Sequence, residues 1–295
     1  MKVVMGLDGS PSAQVAQELA ITVAWPTGTR FILVTADGGH DRMARPPKGG
    51  SEAEGAGVPI HRPDLLGDLD ASAEPMRQRG YPAEVHVEHG HAGQRLRESA
   101  AAEFADLILV GSRGRGPAAS ALLGSVSADL ADHAPCPVLV ARQPRVSRVL
   151  IATDGSESAT AIPAVLQHWQ LLRGLPMHVL NVAPQSDHSD DGEDAHRRLA
   201  EMLAARLNAG GWTADAVLRS GDPAREIVRG AEELGCDLVV TGSRGLGDMQ
   251  RLMVGSVAHD VLLHSHSSVL VLRGLVSAAA KKRKVALSVR NPTVA

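Results

Sequence analysis

Short apolar runs alternate with amphipathic segments along the whole chain. In runs such as 31–34 (FILV) and 107–110 (LILV), successive residues are apolar, which is typical of strands covered on both faces in a parallel sheet. Val15, Leu19 and Val23 recur instead at four-residue spacing, which predicts a helix with one apolar face. The predicted strands lie at 2–8, 30–36, 83–88, 106–111, 137–142, 147–153, 176–182, 213–219, 237–242 and 268–273.

The order of these segments predicts the fold class. Strands separated by helices require parallel pairing with right-handed crossovers, so we expect doubly wound α/β domains. Two of the helices have clear starting signals, because Ser10-Pro11 and Asp222-Pro223 each place an N-cap residue before a proline at the first helical position.

The chain repeats itself. The segment around Asp8 (VVMGLDGS) returns around Asp154 (VLIATDGS) 146 residues later, whereas LILVGSRG returns as LVVTGSRG after 131 residues. The two offsets differ by 15 residues, and we assign the extra length to the Gly- and Pro-rich loop 37–63. The expected organisation is a tandem duplication. It comprises a first half at 1–143 with the inserted loop, a second half at 144–274 and a basic C-terminal tail at 275–295.

Composition excludes several classes of protein. Of the 295 residues, 44% are hydrophobic and 21% are charged, with a formal net charge of −3, so no chain-wide basic surface for nucleic acid is expected. Aromatic residues make up only 2%, too few for base stacking. No apolar run reaches the length of a membrane helix. Cys136 and Cys236 form no CxxC pair, which indicates a reducing, cytoplasmic location.

A glycine-rich motif follows the fourth strand of each half. Gly111-x2-Gly114-x9-Gly124-Ser125 in the first half corresponds to Gly242-x2-Gly245-x9-Gly255-Ser256 in the second. Glycines let the backbone approach an anion, and the helix that begins at each motif's end directs unpaired amides and its positive dipole end toward the same place. Val126 and Val257 continue these helix starts, and Arg113 and Arg244 can add positive charge. The motif therefore predicts a phosphate site in each half, beside Asp8 or Asp154.

Competing motifs are weaker. Gly114-x-Gly116-x-x-Ala119 resembles a dinucleotide fingerprint, but it follows the fourth strand instead of the first, and the second half has Gln250 at the last position. No Lys follows a suitable glycine, so a Walker A loop is not predicted. His86, His89 and His91 lie close together, but we interpret them as capping or surface residues and predict no metal site.

These motifs resemble those of the universal stress protein family over residues 1 to about 273, outside the 37–63 loop. The resemblance implies two doubly wound parallel five-stranded sheets of the universal stress protein (adenine nucleotide alpha hydrolase-like) type in tandem, with the last strands, 137–142 and 268–273, side by side. In the nucleotide-binding branch of that family, the glycine motif binds the phosphates and ribose of ATP, and the Asp after the first strand helps to fix the adenosine. The residue ending the second strand lines the adenine pocket.

Carried over position by position, the resemblance implies two sets of ATP-contacting residues. In the first half they are Asp8, Thr35, Gly111, Gly114, Gly124, Ser125 and Ser127. In the second half they are Asp154, Val182, Gly242, Gly245, Gly255 and Ser256, with Ala258 standing where the first half has Ser127.

The predicted function is ATP-dependent regulation of a stress response, without dedicated catalysis. The expected partners are an adenine nucleotide and a regulatory protein whose identity is open, with no nucleic acid and no membrane. The two halves are expected to form an internal pseudo-dimer, and further homodimerisation is left open. No pattern in the sequence indicates a Mg²⁺ site. The alternatives are a slow ATPase or phosphotransferase using the same pocket, and a scaffold that binds no nucleotide.

Overall fold

The structure is a computed structural model that describes residues 1–37, 70–114, 123–184, 190–243 and 254–273. The strands are β1 Lys2–Gly6, β2 Arg30–Asp37, β3 Ala83–His89, β4 Leu107–Gly111, β5 Val138–Ala141, β6 Val149–Ala152, β7 Pro176–Ala183, β8 Thr213–Ser220, β9 Leu238–Gly242 and β10 Ser268–Leu272. The helices within the described ranges are α1 Pro11–Thr22, α2 Glu74–Gln78, α3 Ala92–Ala102, α4 Ser125–His133, α5 Glu157–Thr160, α6 Ile162–Trp169, α7 Asp190–Ala209, α8 Pro223–Glu233 and α9 Ser256–His264.

The ten strands form one continuous sheet in the order β3-β2-β1-β4-β5-β10-β9-β6-β7-β8. Within each half all neighbouring strands are parallel, so the prediction of two parallel five-stranded sheets is confirmed. The antiparallel pair β5–β10 joins the two sheets, with Val140 opposite Val269 and Val138 opposite Val271. The expectation that the last strands of the two halves lie side by side is therefore also confirmed.

Both faces of the sheet are covered, as the uninterrupted apolar runs predict. On one face, Leu19 of α1 and Leu207 of α7 pack with the sheet around Trp25 and Trp169. On the other face, Leu130 of α4 and the residues of α3, α8 and α9 pack against alternate strand residues. Each of the two apolar layers includes residues from both halves, so the halves share their core.

Each half has a point at which the winding of the sheet reverses. In the first half it lies between β1 and β4, and in the second half between β6 and β9. Ligands of doubly wound sheets bind at the carboxyl ends of the strands beside such a point. The residues after β1 and β4, and those after β6 and β9, therefore border the two candidate sites.

The predicted helix starts are present. The Ser10 hydroxyl accepts the N–H of Ala13, and the Asp222 carboxylate accepts the N–H of Arg225. None of the helices in the described ranges is long and apolar enough to cross a membrane. The inserted loop from residue 38 onward and the tail 275–295 lie outside the described residues.

Candidate functional site

The first crevice has Asp8 on one side and Gly114 on the other. Asp8 follows β1, and its Oδ1 accepts the N–H of Ser10 at 2.9 Å, which closes a tight turn through Gly9 (φ +69°). The Oδ2 atom faces Gly114, because a Cβ added to that glycine would lie 2.7 Å from it. The structure thus brings together two predicted site residues that are 106 positions apart.

Gly111, at the end of β4, lies against protein backbone. A Cβ added at this position would lie 2.4 Å from the carbonyl carbon of Ser12 and 2.8 Å from the nitrogen of Ala13. Gly242 has the same role in the second half, where an added Cβ would lie 2.3 Å from Ser158 Oγ. The first glycine of each motif therefore permits the start of a helix to pack on the end of the fourth strand.

The same hydrogen bond joins the two ends of the glycine motif in both halves. The N–H of Gly124 donates to the carbonyl of Ser112 at 2.7 Å, and the N–H of Gly255 donates to the carbonyl of Ser243 at 2.7 Å. In the first half, the Ser10 hydroxyl also donates to the carbonyl of Arg113 at 3.3 Å, which ties the loop to the β1 turn. This agreement shows that the repeated sequence produces a repeated local fold.

Helix α4 begins at the crevice with amides that cannot bond within the helix. Its first intrahelical bond runs from the N–H of Ala128 to the carbonyl of Gly124, so the amides of Ser125, Val126 and Ser127 precede it. The Ser125 side chain is exposed. The Ser127 hydroxyl is buried and donates to the carbonyl of Gly111 at 2.7 Å, and this bond connects α4 to the end of β4.

The second crevice repeats most of these features. Asp154 Oδ1 accepts the N–H of Ser156 at 2.9 Å, as Asp8 does with Ser10. Ser256 and Val257 begin α9 in the way that Ser125 and Val126 begin α4, whereas the buried Ala258 cannot make the bond made by Ser127. The predicted residues Arg244 and Gly245 lie outside the described residues.

The strand register corrects one equivalence. Gly6 pairs with Val34 in the first half, and Ala152 pairs with Leu180 in the second, so the counterpart of Thr35 is Asn181 and not the adjacent Val182. The offset of 146 residues that relates Asp8 to Asp154 gives the same answer, and this is the signal in the sequence that identifies Asn181.

Asn181 borders the second crevice, and the motifs in the sequence do not identify it. It is 1% exposed, and its Nδ2 donates to the carbonyl of Thr153 at 2.8 Å. Because a carbonyl only accepts, this bond fixes the amide so that Oδ1 faces His196 Nδ1 at 2.8 Å, which must therefore carry the proton. Helix α7 thus covers the end of β7, and its Leu199 packs on Gly155 in the turn after β6.

Positive charge borders the first crevice. Gly111 pairs with Ala141, so Arg142 follows β5 directly beside the residues that follow β4. Burial lowers the pKa of Arg142 to about 10, and the nearby Arg113 cation acts in the same direction. The Arg142 guanidinium therefore remains charged at neutral pH, and this edge of the sheet favours an anion.

No group of three or more His, Cys, Asp or Glu side chains is arranged to hold a metal ion among the residues that the structure describes. His91 occupies the N-cap position of α3 without a side-chain hydrogen bond there, and it is exposed. Both cysteines are buried thiols in the apolar layer that contains α4 and α9, not disulfide partners.

The fold and its two crevices define a tandem, doubly wound α/β protein. The model of the universal stress protein family matches the chain twice, at residues 1–142 and 145–273. The chain therefore belongs to the universal stress protein family and contains two of its domains in tandem.

The chain is similar to several known proteins. Universal stress protein Rv2623 of Mycobacterium tuberculosis (strain ATCC 25618 / H37Rv) is 30% identical over 298 residues, a match that covers 92% of this chain and 96% of that protein. Universal stress protein Rv2005c of the same organism is 31% identical over 191 residues, which covers 57% of this chain and 62% of that protein. Among solved structures, a universal stress protein from Archaeoglobus fulgidus has a TM-score of 0.63 at 21% identity, with 92% of this chain and 98% of that chain covered.

Proposed function

We propose that this protein binds ATP at both crevices and acts as a nucleotide-dependent regulator in a stress response, without being a dedicated catalyst. The proposal depends on one observation: Asp8 Oδ2 faces Gly114 at the point where the winding of the sheet reverses, beside the amides at the start of α4. A carboxylate that can accept from ribose hydroxyls and a cluster of amides that can donate to phosphates suit the two ends of a nucleotide.

In the first site, the phosphates lie against the amides of Ser125, Val126 and Ser127, with Arg113 supplying charge. Gly114 and Gly124 keep the loop free of side chains at that point, Gly111 holds the loop's base, and Thr35 borders the adenine. This assignment is supported by the bond between Gly124 and Ser112, the exposed Ser125 and the positive edge formed with Arg142.

In the second site, Asp154, Ser256 and Val257 take the corresponding roles, together with Gly242 and Gly255. We infer from the sequence repeat alone that Arg244 and Gly245 belong to this site. Asn181, in the position equivalent to Thr35, replaces Val182 as the residue proposed to border the adenine. No residue is assigned to a Mg²⁺ ion.

The proposed regulation requires that ATP favours one state of the glycine loops and thereby changes the surface offered to a partner protein. Two buried, unpaired thiols are compatible with action in the reducing cytoplasm. The proposed domain limits are 1–143 and 144–274, followed by a tail at 275–295, which are close to the residues matched by the family model.

Equilibrium dialysis with ATP tests the proposal. Two ATP per chain is the expected result, and the Gly114→Val, Gly245→Val double variant is expected to bind none, because the new side chain at 114 enters the space of Asp8. Gly28→Ala is the control for a glycine replaced away from the site. Gly28 lies at the opposite end of the sheet, where an added Cβ meets open space, and although its φ of +78° makes the substitution cost about 1 kcal/mol of stability, ATP binding should not change. Circular dichroism checks that each variant is folded.

The outcomes separate the candidate functions. Two bound ATP without phosphate release supports the regulator. ATP turnover by the parent protein that is absent in the double variant would instead support an ATPase or phosphotransferase. If the parent protein binds no ATP, the scaffold function is supported.

A further inference from the structure

The last turn of α4 is attached to the other half of the molecule. Arg273, which follows β10 in the second half, donates from Nη1 to the carbonyl of Ala131 in α4. The end of this first-half helix is therefore held at a defined place against the second half. The residue after Ala131 is Asp132, which is partly buried.

Asp132 reaches the second crevice. Its Oδ1 accepts the backbone N–H of Val254 at 3.3 Å, although the two residues are 122 positions apart. Val254 directly precedes Gly255, whose own N–H donates to Ser243 within the second half at 2.7 Å. Two successive amides before α9 are thus fixed. Asp132 of the first half holds the amide of Val254, and Ser243 of the second half holds the amide of Gly255.

The position of this acid in its own helix argues against a purely helical role. The C-terminal end of a helix carries partial negative charge, so a carboxylate in the last turn is electrostatically unfavourable there. Asp132 lies in the last turn of α4. What its carboxylate contributes is the bond to the Val254 amide, where a charged acceptor is worth more than a neutral one.

The pair of residues that makes this contact is not repeated at the equivalent positions of the two halves. The offset of 131 residues makes Leu263 the counterpart of Asp132 and Leu123 the counterpart of Val254. A leucine side chain cannot accept a hydrogen bond. At the position equivalent to Asp132, the second half therefore offers no acceptor for the backbone of Leu123 in the first crevice.

We propose that Asp132 is a positioning residue for the second nucleotide site, which is thereby completed by the first half of the chain. This inference rests on the proposed function, because it concerns how the amides at Gly255 and Ser256 are aimed at phosphate. An oriented amide contributes to anion binding only while its peptide plane is held in place. The bond from Val254 to Asp132 holds the peptide group that precedes those of Gly255 and Ser256.

The test measures each site separately in the full chain. Gly114→Val leaves the second site to be titrated with ATP, and Gly245→Val leaves the first. Into each background we introduce Asp132→Ala, which removes the acceptor, Asp132→Asn, which keeps an acceptor oxygen, and Asp132→Leu, which places the second half's residue in α4. Hydrogen exchange of the Val254 amide is followed in parallel without nucleotide.

Asp132→Ala and Asp132→Leu are expected to raise the Kd of the second site about tenfold, to leave the first site within twofold, and to accelerate exchange at Val254. Asp132→Asn is expected to restore both measurements to within about threefold of the parent. Unchanged exchange at Val254, or equal weakening of both sites, would overturn the inference even if ATP binding itself is intact. Failure of the parent protein to bind ATP would overturn the proposed function, and this inference with it.

Discussion

Arg142 and Arg273 make the same contact in opposite directions. Arg142, after β5, donates from Nη2 to the carbonyl of Leu262 in the last turn of α9, and Arg273, after β10, donates to the carbonyl of Ala131 in the last turn of α4. Each pair is related to the other by 131 positions in the sequence. The duplication has thus produced a reciprocal pair of bonds between the halves, next to the antiparallel β5–β10 pair.

Removal of either arginine is expected to destabilise the whole molecule. Arg142→Met and Arg273→Met should each lower the free energy of unfolding by about 1–3 kcal/mol, since each leaves a helix-terminal carbonyl without its charged donor. Urea unfolding followed by circular dichroism measures the change. Arg145→Met, at an exposed position between the halves, is the control and should stay within about 0.5 kcal/mol of the parent. Equal effects of all three variants would contradict the role of the reciprocal bonds.

The strands could be predicted from the sequence because their apolar runs are continuous. All ten strands lie within two residues of their predicted limits. The disagreement at β1 has a local cause, since Asp8 turns the chain by accepting the Ser10 amide and the strand ends at Gly6. The union of the two sheets follows from pairing between β5 and β10, and no local pattern of residues encodes that contact between distant segments.

Phe104 has a backbone conformation that suits glycine. Its φ is +52°, its side chain is 80% exposed, and its counterpart in the second half is Gly235 with φ +63°. Phe104→Gly is expected to raise the free energy of unfolding by about 0.5–1 kcal/mol, because relief of the left-handed strain exceeds the entropy cost of glycine and little packing is lost. Gly235→Ala is the reverse control and should destabilise by about 1 kcal/mol. Thermal and urea unfolding measure both changes.

The two thiols should make stability depend on pH under alkaline conditions. Burial raises the pKa of Cys136 and of Cys236 from about 9 to about 12. Above pH 9 the unfolded chain loses thiol protons that the folded chain keeps. The unfolded state then binds fewer protons, so the free energy of unfolding falls as pH rises from 9 towards 12, by about 1.4 kcal/mol per pH unit for each thiol.

Urea unfolding at pH 8, 9 and 10 measures this dependence. The Cys136→Ala, Cys236→Ala double variant is the control, because every other titrating group remains in it. Its free energy of unfolding should fall less between pH 9 and 10 than that of the parent, and parallel pH profiles would rule out the contribution of the thiols.

The candidate site was less accessible from sequence than the fold. The motif identifies glycines but does not distinguish a glycine that faces a ligand from one that faces protein. Gly111 meets the backbone of Ser12, 99 positions away, and only the packing of α1 on β4 reveals this. Asn181, by contrast, could have been identified, because the constant offset of 146 residues places it opposite Thr35.

Asn181 is expected to hold the base end of the second site together. Its buried amide donates to the carbonyl of Thr153 and accepts from His196, so it links the end of β6 to α7. Asn181→Ala leaves the Thr153 carbonyl without this donor, and the free energy of unfolding should fall by about 1–3 kcal/mol. The second site should also lose ATP affinity, because its base end is no longer bonded to α7.

The same position in the first half supplies the control. Thr35 is only partly buried, so Thr35→Ala should change the free energy of unfolding by about 0.5 kcal/mol or less. Urea unfolding of both variants, combined with ATP titration in the Gly114→Val background, measures the two effects. If Asn181→Ala is as stable as Thr35→Ala and binds ATP as its parent does, then Asn181 does not organise the second crevice. Another residue must then hold the base end of the second site.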